Sequence, residues 1–116
     1  MHVCLDGRCI TDHFPGIGRY VYLLAGALAD ESPADHVSVL VTPGQRGGRF
    51  NLGDLTARPN PSLLGLDAGV FDPRSQGRGR KAIRLSGADL FHATYWLGPW
   101  WPGRPTVLTC YDLIGR

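Results

Sequence analysis

The sequence predicts an α/β fold built on a mostly parallel sheet with flanking helices. Three observations carry that prediction. Val37-Ser38-Val39-Leu40-Val41 is a largely β-branched run bounded by Pro43-Gly44. Upstream of it, Ile17, Val21, Leu24 and Leu28 fall at spacings of four, three and four, one face of a helix. Strand-like and helix-like segments then alternate along the chain, which argues for parallel pairing through crossovers. The 116 residues suit one domain or part of one. Hydrophobic residues make 43 % and charged residues 19 %, enough apolar surface for a core, so wholesale disorder is excluded.

The first strand is expected at His2-Val3-Cys4-Leu5, closed by Asp6-Gly7. Residues 7–18 read as a loop that hands over to a helix starting near Gly18 and ending at Ser32-Pro33, where proline disfavours the helical conformation of the residue before it. The second strand is Val37–Val41. Residues 43–54 hold four glycines and read as a loop. Leu55-Thr56-Ala57 is expected as a short strand cut off by Pro59 and Pro61, and residues 67–80 as a second Gly, Pro and Arg-rich loop. A short helix from Arg80 to Leu85 ends near Gly87. Residues 88–94 and 105–111 are the last two strands, separated by a rigid loop that contains Trp100 and Trp101. Gly and Pro together account for 25 residues, so turns are many and long helices few.

Several function classes fall away on composition. No apolar run approaches the roughly 20 residues of a membrane span, and the N-terminus lacks the pattern of a signal peptide. The net charge of +2 is too weak to argue for nucleic acid. Cys4, Cys9 and Cys110 show no pairing or ligand spacing and read as small buried thiols in a reducing compartment. His2, His13 and His36 share no ligand spacing either, so no metal is expected.

In an open parallel sheet, ligands bind outside the carboxyl ends of the strands. There the sequence places Asp6 and Arg8 after the first strand, Thr42 after the second, His92, Thr94 and Tyr95 after the fourth, and Tyr111 and Asp112 after the last. Gly16-Ile17-Gly18-Arg19 joins a strand to a helix. Its glycines let a bulky anion come close, and the free N–H groups and dipole of the helix start favour a phosphate or diphosphate, with Arg19 adding charge. An ordinary glycine turn into a helix is the competing reading. Val21 stands where a dinucleotide-binding glycine motif needs its third glycine, and no Gly-Lys-Ser/Thr is present, so neither a nicotinamide dehydrogenase nor a P-loop ATPase is supported. His92 reads equally as a site residue or as a core histidine. Trp96, Trp100, Trp101 and Tyr95 read as a sugar- or lipid-stacking cluster or as a loop packed on its own domain. Arg74, Arg78, Arg80, Lys81 and Arg84 read as a flexible solvated loop, or as a patch for RNA or an acidic membrane.

Two segments together resemble the N-terminal half of family 4 glycosyltransferases, retaining sugar transferases of GT-B fold. They are Leu5-Asp6-Gly7-Arg8 with Gly16-Ile17-Gly18-Arg19-Tyr20-Val21, and Asp89-Leu90-Phe91-His92-Ala93-Thr94-Tyr95 followed by the segment Pro105 to Ile114. The resemblance implies that residues 1–116 form an incomplete, acceptor-side N-terminal Rossmann-like domain, with the C-terminal donor-binding domain absent and the fragment inactive alone. It implies that Gly16, Ile17, Gly18 and Arg19 meet the donor diphosphate. Asp6, Arg8, His92 and Tyr95 would contact the acceptor or sugar. Tyr111 and Asp112 would be catalytic, with Tyr111 standing where the family often has histidine. The partners implied are a nucleotide-sugar donor as substrate, a glycan or lipid acceptor, and a donor-binding domain or chain. Peripheral membrane contact and self-association through exposed apolar surface follow as further partners. No cofactor, metal or nucleic acid is implied, and the location is cytoplasmic, the inner face of the membrane included. A stand-alone half-domain that binds a phosphorylated sugar is the alternative.

Overall fold

In the computed structural model, the described residues are 1–12, 15–46, 48–69, 72–95 and 102–109. Their elements run β1 (His2–Asp6), α1 (Pro15–Glu31), β2 (His36–Val41), α2 (Leu52–Thr56), β3 (Pro61–Gly65), α3 (Ser75–Ser86), β4 (Leu90–Ala93) and β5 (Thr106–Leu108). The five strands form one sheet in the order β3-β2-β1-β4-β5, and all four pairings are parallel. This is an α/β, Rossmann-like arrangement, as the alternating pattern predicted.

β2 is buried at every position after His36. Parallel strands are covered on both faces, so they read as near-continuous apolar runs, and this one does. Alternation along β1 sends Leu5 into a core with Val21, Ala25, Val37 and Val39, under α1. Cys4 points the other way, into a core with Leu40, Ile83 and Phe91, under α3. The sheet is thus sandwiched between α1 and α3.

α1 meets the sheet on a narrower face than its leucines suggest. Val21, Ala25 and Ala29 are buried, whereas Ile17, Leu24 and Leu28 are half-buried at its flanks. Small residues at the centre let the helix axis approach the strands closely. A Cβ on Gly18 would stand 2.7 Å from the Cys9 carbonyl oxygen and 3.3 Å from Ile10 Cα, so only glycine fits there. The helix also starts earlier than expected, at Pro15, which enters a first turn readily because its missing N–H would be unpaired there anyway.

Two segments differ in kind from expectation. Residues 52–56 are a helix and not a strand: Asn51 Oδ1 accepts from the Gly53 N–H at 2.9 Å and caps it. The neighbouring strand is β3 instead, opening at Pro61 on the sheet edge, where a missing donor does least harm. The basic segment is helical from Ser75, five residues before the expected start. Gly79 and Ile83 make its buried stripe, and Gly87, at φ 79°, closes it in the left-handed conformation.

Candidate functional site

The strand order places the topological switch point between β1 and β4, where the covering helices change face. In such sheets the crevice outside the carboxyl ends at that point is where ligands bind. Thr94, buried just past β4, donates its hydroxyl to the carbonyl of Asp6 at the end of β1, tying the two strand ends together.

On the α3 face of this edge stand Asp6 and Arg8. They form a buried ion pair: Arg8 Nη2 lies 2.6 Å from Asp6 Oδ2, and Arg8 Nε lies 2.9 Å from Oδ1. The remaining guanidinium nitrogen donates to the carbonyls of Ala68 and Gly69, at 3.3 and 3.2 Å. Burial would lower the pKa of Arg8, but the hydrogen bonds and charge of Asp6 outweigh it and raise the value, so the group stays charged. Both residues are about 3 % exposed. The pair therefore fixes the loop after β1 to the loop after β3, with its charges turned inward.

Gln45 braces the same loop from the side of β2. Its amide nitrogen donates to the Gly7 and Ile10 carbonyls at 2.9 and 3.1 Å, and its oxygen accepts from the Thr42 N–H at 3.0 Å. No motif in the sequence points to Gln45.

His92 occupies the opposite, α1 face. Its Nε2 lies 2.6 Å from Thr109 Oγ1, and the Tyr20 hydroxyl lies 3.2 Å from the same oxygen. Burial pulls the His92 pKa below the usual histidine range, which favours the neutral ring. The sheet edge thus links His92 to α1 through Thr109 and Tyr20, two residues of the quoted motifs to which the sequence assigned no role. Tyr20 is one helical turn after Gly16. In that first turn the backbone N–H groups have no intrahelical partner, and the turn itself carries no acidic side chain. Gly16 is exposed, with nothing within 4 Å of a Cβ placed on it, and Arg19 is exposed beside it. The two glycines differ: Gly18 is filled by the protein's own loop, and Gly16 faces open space.

Expected neighbours are therefore split by the sheet. Asp6 and Arg8 lie on one face, His92 and the α1 start on the other, and Tyr95 is half-buried just beyond β4. Tyr111, Asp112, the three tryptophans, His13 and Cys110 lie outside the described residues. Among the described residues no three His, Cys, Asp or Glu side chains stand together as a metal site. No described helix is long and apolar enough to cross a membrane.

A family model described as Glycosyltransferase Family 4 matches residues 15–115. The match opens at the first residue of α1 and takes in every later element, while β1 with Asp6 and Arg8 precedes it. Comparison with curated proteins and comparison with solved structures each return no match.

Proposed function

The chain belongs to glycosyltransferase family 4, and on that premise we propose that it forms the acceptor-side, N-terminal part of a GT-B enzyme. That enzyme moves a sugar from a nucleotide-sugar donor to a glycan or lipid acceptor with retention. The observation that carries the reading is the open first turn of α1 at Gly16, beside the switch point, with Arg19 exposed next to it. When the bond between sugar and diphosphate breaks, negative charge collects on the leaving phosphate. The N–H groups of the helix's first turn, the helix dipole and one arginine stabilise that charge without a cofactor. His92 and Tyr95 border the sugar in this reading, and Tyr111 and Asp112, which come after β5 in the sequence and lie outside the described residues, are its catalytic residues. Asp6 and Arg8 contribute by holding the edge rigid, since their charges are spent on each other and on backbone carbonyls. The nucleotide sugar is substrate, and its nucleotide is held chiefly by a donor-binding domain outside these 116 residues.

A second reading is favoured by β5, whose Thr106, Val107 and Leu108 are all exposed. An edge strand of that kind calls for a covering layer. A separate chain that brings the donor-binding domain would supply it. In either reading the 116 residues alone transfer no sugar.

The test is amide chemical-shift mapping of the chain with UDP- and GDP-sugars at millimolar concentration. The expected result is a perturbation confined to the amides of residues 16–20, His92 and Tyr95, lost in Gly16→Val and kept in Gly16→Ala. Shifts scattered elsewhere, or none at these amides, overturn the reading.

A further inference from the structure

We propose that the solvent face of α3 is a docking surface for anionic lipid headgroups, independent of the sugar-transfer reading above. Arg80, Lys81 and Arg84 project from consecutive turns of the helix, and Arg104 comes toward them from the segment between β4 and β5. Together they line an open groove of about 620 Å³. The remaining carboxylates near this helix are already engaged. Asp72 pairs with Arg74 at 2.6 Å and Asp67 with Arg78 at 3.6 Å. Among the described residues, Arg80, Lys81 and Arg84 have no carboxylate partner. Arg104 spends its Nε on the Ala88 carbonyl, 2.7 Å away, and one further nitrogen on the Gly103 carbonyl, which orients the guanidinium without neutralising it. Charge of one sign is therefore concentrated on one face of a protein whose net charge is only +2.

The apolar component decides the class of partner. Leu85 stands among these cations and is 76 % exposed, the most exposed large apolar side chain among the described residues. A second, more apolar groove beside it is lined by Leu64, Ala82 and Leu85, with Lys81 and the Asp67–Arg78 pair at its rim. A lone exposed leucine gains nothing from a soluble polyanion. At a membrane surface it enters the headgroup boundary while the arginines stay level with the phosphates. Single-stranded nucleic acid would call for stacking platforms in the patch, and none of the described residues lining these grooves is aromatic. Because α3 covers the sheet face opposite α1, docking through it leaves the first turn of α1 and the switch point free.

The experiment is co-flotation of the chain with phosphatidylglycerol–phosphatidylcholine vesicles and with pure phosphatidylcholine vesicles. Binding to the anionic vesicles alone is expected, weakening as salt rises. The triple variant Arg80→Gln, Lys81→Gln, Arg84→Gln should lose about fivefold in partition for each charge removed. Arg80→Lys with Arg84→Lys should keep most of it, which separates lost charge from a damaged fold. Leu85→Ser should weaken the binding that survives at high salt. Equal partition of wild type and the triple variant overturns the proposal. So does equal binding to neutral vesicles, or tighter binding to polyuridylate or soluble polyphosphate than to the anionic vesicles.

Discussion

Arg8 Nη2 and Asp6 Oδ2 meet 2.6 Å apart at the end of β1, and the guanidinium turns its Nη1 to the carbonyls of Ala68 and Gly69. A buried pair of this kind is expensive to break from one side, because the surviving charge keeps its desolvation cost and loses its partner. Asp6→Ala is expected to cost about 3–5 kcal/mol. The double variant Asp6→Ala, Arg8→Met should cost clearly less than the sum of the two single changes. Urea unfolding of the four proteins closes the cycle. Additive costs would mean that the two side chains act separately, against the geometry.

The two buried thiols should be inert. Burial, with the nearby Asp6 charge adding to it, pushes Cys4 and Cys9 up to about 12. At pH 8 only about one thiol in ten thousand is then thiolate, the form that reacts. Iodoacetamide treatment of the native chain followed by peptide mass mapping should leave both unmodified, and both should react once urea is added. Alkylation of Cys9 under native conditions at the rate of a free thiol would contradict the placement of the loop after β1.

How far the fold was legible follows from what each segment had to advertise. Residues 37–41 showed themselves because a strand covered on both faces needs an unbroken apolar run. α1 showed itself by period, but its inner face did not, because close packing chose Gly18, Val21, Ala25 and Ala29 over the larger leucines beside them. Residues 52–56 misled because Leu55 and Thr56 suit a strand equally well, while the informative signal was the cap at Asn51. α3 hid its start behind Gly77 and Gly79, poor helix formers that tertiary packing of Ile83 overrides. The site was legible as an edge and not as a constellation. Position along each strand told which residues reach the carboxyl end. The two-residue alternation then put Asp6 and His92 on opposite faces. Gln45 and Thr109 act through backbone carbonyls and a hydroxyl network, which leave no pattern in sequence.

Acid should destabilise the fold through two histidines. Burial first, and the neighbouring His36 next, pull His2 below the usual range, with Asp89 opposing them; burial alone lowers His92. His2 Nε2 lies 2.6 Å from Ser38 Oγ, and its ring meets His36 edge-on with centroids 4.5 Å apart. A histidine whose folded pKa lies below its unfolded value binds protons more readily when unfolded. Its stabilising contribution is thus complete above about pH 6.5 and is lost as pH falls through that value toward the folded pKa. The urea midpoint is expected to hold on the alkaline side and to drop on acidification below about pH 6.5. His2→Gln combined with His92→Gln should flatten the drop. A midpoint that rises on acidification through this window would reverse the sign and refute the assignment.

Gly16 and Gly18 should respond to the same substitution in opposite directions. A methyl group on Gly16 meets nothing within 4 Å, so Gly16→Ala removes backbone freedom from the unfolded chain at no steric cost. It should stabilise the chain by up to about 1 kcal/mol. A methyl group on Gly18 meets the Cys9 carbonyl oxygen at 2.7 Å, and a backbone atom cannot swing aside as a side-chain tip can. Either α1 moves off the sheet or the loop after β1 shifts, and Gly18→Ala should cost about 1–3 kcal/mol, the usual range for overpacking. Because that loop is braced by Gln45 and by the Asp6–Arg8 pair, the strain has few places to go. Loss of the Gln45 side-chain amide signals from their native positions in Gly18→Ala would show the loop yielding. Retention of those signals with a lowered urea midpoint would place the displacement in α1. Unchanged stability in Gly18→Ala would mean that the helix start does not rest on residues 9–11 at all.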